Sequence, residues 1–112
     1  AAVVAILQNK GYKKNNVILV SATGMPMGLE LIREGWVSCL VEQPVGAQAE
    51  GVAMFLDTII AGKKPALGKY DVKGIPAELI EMPYGPELRI SGSVIDAGNV
   101  NDPVFWGNQV GK

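Results

Sequence analysis

Val17-Ile18-Leu19-Val20, followed at once by Ser21-Ala22-Thr23-Gly24, joins an aliphatic run of strand length to a turn and then to a helix. A run that is apolar at every position predicts a strand buried on both faces, as in a parallel sheet. After the turn, Met25, Leu29 and Ile32 fall at i, i+4 and i+7, one face of a helix that Pro26 can begin and Gly35 can end. Working outward, Trp36 to Glu42 reads as a second strand, and Gln43-Pro44 breaks it because the residue before proline is pushed away from helix. A helix over 46–61 follows, with Val52, Phe55, Leu56, Ile59 and Ile60 on one stripe and Gly62 at its end. Upstream, residues 1–11 read as a helix closed by Gly11. Downstream, prolines and glycines interrupt two short strand candidates at 77–82 and 88–95. The order (α)-β-α-β-α-β predicts an α/β fold with mainly parallel sheets.

The sequence has 112 residues, 48% apolar and 19% charged, with a net charge of −1, which describes a folded segment of one small domain's length. Its short basic pairs, Lys13-Lys14 and Lys63-Lys64, cannot track a phosphate backbone, so nucleic acid is not an expected partner. With no histidine and one cysteine, the chain lacks Ser-His-Asp and Cys-His catalysis, thiolate zinc sites and an internal disulfide. Cys39, among Val37, Leu40 and Val41, reads as a small buried hydrophobe. Asp96, Asn101 and Asp102 lack the spacing of a calcium loop, and Glu78 and Glu81 are no carboxylate pair, so no metal, cofactor or catalysis is expected. No apolar run approaches membrane-spanning length. The first helix has neither an initiating methionine nor an N-cap residue before it, so the sequence is expected to be a piece of a longer chain.

In open α/β sheets ligands bind beyond the carboxyl ends of the strands. That rule selects Thr23 and Met25 after the first strand and Gln43 after the second. Thr23 and Gln43 are one strand–helix–strand unit apart, which would bring both to the same rim. A hydroxyl and a carboxamide suit a neutral polyhydroxy ligand and make poor acid–base catalysts. Each has a plainer structural reading as well: Thr23 as a cap of the next helix, Gln43 as a backbone-bonding residue. Glu42 reads as a solvated or hydrogen-bonding residue, and Trp106 as an anchor of the Pro/Gly-rich tail.

Together, Val17–Val20 with its short loop, Leu29-x-x-Ile32-Arg33-x-Gly35, Val37–Val41, Gln43-Pro44 and the tail Asn99-Val100-Asn101-Asp102-Pro103-Val104-Phe105-Trp106-Gly107 carry a resemblance. The chain resembles the C-terminal portion of periplasmic sugar-binding proteins, the ribose/galactose-type (type I) solute receptors of ABC transporters. The resemblance implies a two-lobed fold. Residues 1–43 would be part of the C-terminal lobe. Residues 44–98 would be part of the N-terminal lobe, beyond a third hinge crossing near Gln43-Pro44, and 99–112 a tail near the hinge. It also implies a neutral sugar or polyol as ligand, the remaining N-terminal part of the receptor and a membrane permease as partners, and a periplasmic or membrane-anchored extracytoplasmic location. Gln43 matches the family's sugar-contacting glutamine, Met25 would add an apolar wall, and Thr23 stands where the family commonly has an aspartate. The same fold serves as the effector domain of sugar-responsive transcription repressors, the alternative, although the Asp102-Pro103…Trp106-Gly107 ending favours the receptor. An α/β nucleotide-binding enzyme is disfavoured, because no glycine-rich phosphate loop follows either strand.

Overall fold

The structure, a computed structural model, describes residues 2–110; the readings that touch residues 1, 111 and 112 lie outside the described residues. In chain order the elements are α1 (Ala2–Asn9), β1 (Val20–Thr23), α2 (Pro26–Arg33), β2 (Cys39–Glu42), α3 (Val45–Ile60), β3 (Gly68–Val72), β4 (Ile75–Met82), β5 (Gly85–Ile90), β6 (Val94–Asp96) and a 3₁₀ turn (Trp106–Asn108). The helix stops expected from glycine are observed. Gly35 takes φ 79, Gly35 N–H donates to Ile32 O and Trp36 N–H to Leu31 O, both at 2.9 Å. This double closure satisfies carbonyls that a helix end otherwise leaves open, and it recurs after α1 at Gly11 and after α3 at Gly62. Pro26 opens α2 as expected.

The chain forms two units, one from residues 2–43 and 92–110, the other from 44–91, with crossings at 43–44 and 91–92. In the first unit, the strand order is β1-β2-β6. β1 and β2 run parallel, with Thr23 opposite Glu42, and β6 pairs antiparallel to β2, with Ile95 opposite Leu40. Leu29 and Ile32 of α2 pack with Val37, Leu40, Ile95, Val100 and Phe105 in one core. Arg33 ties the tail to α2: its guanidinium donates to Asn101 Oδ1 (2.9 Å), Val100 O (3.2 Å) and Asn108 Oδ1 (2.7 Å), and it pairs with Glu30. Tail turns close on side chains of their own, with Asn99 Oδ1 accepting from Asp96 N–H and Asp102 Oδ1 from Val104 N–H.

In the second unit, α3 covers an antiparallel meander, β3-β4-β5. Val72, Ala77 and Ala47 form its small core, with Tyr70, Ile75, Leu88 and Ile90 half-buried against it. Phe55 meets Tyr70 edge to face at 5.0 Å. Gly51 is what lets α3 sit this close, since a Cβ there would come within 2.5 Å of Leu88 Cδ2.

The molecule is thus a mixed α/β protein with small sheets, and among the described residues parallel pairing is confined to β1 and β2. Five details depart from the sequence reading. The first strand lies at 20–23 rather than 17–20; just before it, Leu19 N–H donates to the Ser38 hydroxyl (3.2 Å) and Leu19 O accepts from Ser38 N–H (2.8 Å). Expected to be buried on both faces, that segment is open, with Ile18 85% exposed and every residue of β1 exposed. The candidate at 88–95 is two strands of different sheets, so residues 92–98 belong with residues 2–43 rather than with 44–91, since β6 pairs with β2. Finally, α3 buries its small residues Ala47 and Gly51, while Val52, Leu56, Ile59 and Ile60 of the expected stripe are exposed. Cys39, expected to be buried, is half-exposed opposite Asp96.

Candidate functional site

Parallel pairing brings the ends of β1 and β2 side by side, and the chain uses that end for polar contacts. Gln43 N–H donates to the Thr23 carbonyl oxygen at 3.2 Å, extending the ladder by one step beyond Glu42. The tail returns to the same point. Trp106 donates its indole N–H to the same Thr23 oxygen (3.1 Å) and its backbone N–H to Glu42 Oε1 (3.0 Å). One carbonyl therefore joins Thr23, Gln43 and Trp106, residues far apart in the sequence.

Close packing of backbone holds this arrangement. Gly107 lies against the loop after β1, where a Cβ would be 2.3 Å from Gly24 O. Gly92 lies against the end of β2, where a Cβ would be 2.2 Å from Glu42 O. Glu42 N–H donates to Ser93 O at 2.8 Å, so the two segments that lead to the crossings run bonded to one another. Glu42 is buried, 8% exposed, and its carboxylate bonds the tail; this is the hydrogen-bonding reading rather than the solvated one.

Thr23 is exposed and has φ 104. A β-branched residue at positive φ is a genuine backbone outlier, because its branched Cβ crowds the adjacent carbonyl. It does not cap α2: the cap position is Met25, which makes no side-chain cap bond. The cost of that conformation is of order 1–3 kcal/mol, and such residues cluster at functional sites. Met25, 54% exposed, follows on the same loop, and Gln43 is exposed. A groove of about 330 Å³ beside β1 is lined by Thr23 and Met25 together with aliphatic residues such as Val4, Leu19 and Leu40. Gln43 does not line it. The structure thus brings Thr23 and Gln43 to one rim through their backbones, and gathers Thr23 with Met25 around the groove.

Trp106 is the rim residue whose place the sequence did not reveal, because its partner Thr23 lies 83 positions away. A tryptophan in a tail otherwise rich in turn formers was the available signal.

Elsewhere, the exposed face of the meander carries Tyr84, Glu87 and Arg89. The Tyr84 hydroxyl and then Arg89 donate to Glu87, which lowers its carboxyl below the usual range; the same hydrogen bond to Glu87 raises the Tyr84 phenol. Tyr84 and Arg89 are exposed and Glu87 is half-buried at the surface, where these charges are screened. Among the described residues no three Cys, Asp or Glu side chains gather as a metal site, and no helix is long and apolar enough to cross a membrane. Neither a scan against protein-family models nor a search of curated proteins finds a match for the chain.

Proposed function

We propose that the chain belongs to a two-lobed solute receptor of the type I periplasmic-binding-protein kind, binds a neutral sugar or polyol and hands it to an ABC importer without covalent chemistry. The observation that carries the reading is the strand-end rim, where exposed Thr23, held at φ 104, and exposed Gln43 share one carbonyl. Neutral donors and acceptors at such a rim match hydroxyls, which give and take hydrogen bonds in equal measure. With a hydroxyl rather than a carboxylate at position 23, the site favours ligands bound through neutral hydrogen bonds. Closure of the lobes over the ligand would expel water and create the form the permease recognises, in an extracytoplasmic compartment.

A thermal-shift panel of pentoses, hexoses and polyols on the full natural polypeptide tests this. One sugar class is expected to raise Tm by several degrees, since binding only the native state stabilises it. Gln43→Ala removes neutral hydrogen bonds worth about 0.5–1.5 kcal/mol each, so Kd for that sugar is expected to rise roughly 2- to 10-fold. If no sugar or polyol shifts Tm, the reading fails. If Gln43→Ala binds as well as the parent, Gln43 leaves the site.

The remaining part of the receptor enters as a partner because the aliphatic face at β1 is open and the two cores are small. Seven residues form one core and three the other, while Ile18, Val52 and Ile60 are each at least two-thirds exposed. Cores of this size scarcely offset the ordering entropy of the chain. The 112 residues alone are therefore expected to melt without a cooperative transition by circular dichroism, and to gain one when the remaining part is supplied. A cooperative melt of the isolated monomer would remove that partner from the proposal.

A further inference from the structure

We propose that α1 and the loop after it, residues 3–14, form a docking surface for an anionic lipid bilayer. The proposal goes beyond the sugar-binding reading and does not depend on it.

The lysines of this segment have no partners. No Asp or Glu occurs before Glu30, so Lys10, Lys13 and Lys14 are the only charged side chains of the first 29 positions. All three are exposed, and among the described residues none is in an ion pair. Glu30 is taken by Arg33, and Glu34, next to Gly35 where the loop returns, pairs with none of them. A cation at Lys10 complements the end of the α1 dipole, but Lys13 and Lys14 lie beyond the Gly11 stop, outside the reach of that effect. The backbone that carries them has a set shape. Tyr12 N–H donates to Leu7 O (3.0 Å), Asn16 N–H to Lys13 O (3.2 Å) and Asn15 N–H to Gly35 O (3.0 Å). The three charges are thus held on one loop before any partner arrives, which lowers the ordering cost of binding.

Their neighbours decide the kind of partner. Lys10 N–H still donates to Ile6 O (3.0 Å), so helical spacing reaches Lys10. Val3, Ile6 and Lys10 then fall at i, i+3 and i+7, a stripe that begins apolar and ends cationic. Val3 (at the edge of the groove beside β1), Ile6 and Tyr12 are each about half exposed, whereas Val4, one step round the helix, is buried. Exposed aliphatic groups, an amphipathic ring and lysines in one segment suit the boundary between lipid headgroups and acyl chains. An acidic protein surface would satisfy the lysines and leave the apolar part of the stripe in water. Three charges cannot follow a nucleic-acid backbone, but an anionic bilayer offers a field and needs no matched spacing. With 8 residues, α1 would lie on the bilayer rather than cross it.

The test uses the full natural polypeptide without acyl modification, sedimented with vesicles of phosphatidylcholine alone or with phosphatidylglycerol as about one lipid in three. Binding is expected on the anionic vesicles, about 100-fold weaker on the neutral ones, and lowered to the neutral level as salt approaches ~1 M. Each lysine is expected to contribute about fivefold, so Lys13→Gln weakens anionic binding about fivefold and Lys10→Gln/Lys13→Gln/Lys14→Gln about 100-fold. Ile6→Gln is expected to weaken it about fivefold with unchanged salt dependence. The other basic pair is the control: Lys63→Gln/Lys64→Gln is expected to bind like the parent. Hydrogen exchange on the parent locates the contact without any variant, and amides of residues 10–16 are expected to exchange more slowly on anionic vesicles. No binding to those vesicles, equal binding to both kinds, a triple variant that binds like the parent, an equal loss in the control, or unchanged exchange at 10–16 would each overturn the proposal. Capture by immobilised polyglutamate without vesicle binding would assign the lysines to an acidic protein partner and overturn it as well. The sugar panel reads none of these quantities, so the two readings stand or fall separately.

Discussion

In the full natural polypeptide, Gly92→Ala is expected to cost about 1–3 kcal/mol, read as a lower denaturant midpoint at unchanged m, because the added methyl collides with backbone. Its Cβ would stand 2.2 Å from Glu42 O and 3.2 Å from Val41 Cγ1. Side-chain ends can swing away, but Glu42 O cannot: Glu42 N–H is bonded to Ser93 O, and Leu40 and Val41 are in register with Ile95 and Val94. Relief therefore requires β2 and β6 to separate, which opens the ladder over Leu40 and Ile95, 2% and 0% exposed. Gly46→Ala is the control. That glycine lies in α3 with nothing within 4 Å of its Cβ position, so alanine there is expected to be neutral or to stabilise by up to about 1 kcal/mol. Equal midpoints for the two variants would mean that the segments at 42 and 92 do not approach this closely. Because the same segments lead to both crossings, Gly92→Ala is also expected to weaken the sugar binding proposed above without touching a side chain of the proposed site.

What the sequence revealed follows from the range of the interactions involved. Helix stops at Gly11, Gly35 and Gly62 were legible because the bonds that close them reach back only three to five residues. The rim was legible for a related reason: Thr23 and Gln43 are one strand–helix–strand unit apart, and parallel pairing of consecutive strands is a short-range topological rule. The meander was only half visible. In β3, Lys69, Tyr70 and Asp71 show no apolar run, and their partners in β4 supply the order. The split at Ser91-Gly92-Ser93 was hidden because Leu88, Ile90, Val94 and Ile95 read as one apolar strand, and the need for glycine at 92 arises from a backbone 50 positions away. Trp106 and Glu42 were hidden likewise, since a bond across 64 positions has no local signature.

Thr23→Gly is expected to raise stability and lower affinity at once. Glycine takes positive φ without the Cβ clash, so the strain of order 1–3 kcal/mol at φ 104 disappears. The freer unfolded chain takes back about 0.4–1 kcal/mol, leaving a gain near 1 kcal/mol. Little packing is lost, because the side chain is exposed and caps no helix. The hydroxyl is lost, however, and a flexible residue now precedes Gly24 at the point that carries the Gln43 and Trp106 bonds. On the proposed sugar-binding reading, affinity is therefore expected to fall about tenfold or more. Thr23→Asn separates the two effects: asparagine tolerates positive φ and keeps a donor and an acceptor, so it should gain part of the stability and keep part of the affinity. Measured together, denaturant midpoints and titration isotherms give four possible sign pairs. A loss of stability in Thr23→Gly would show that the backbone is not strained there, and a gain with unchanged affinity would show that the strain serves something other than ligand. Opposite signs in the two measurements are the outcome that ties the conformation of Thr23 to recognition, because a residue that costs stability and touches no core contributes through what it binds.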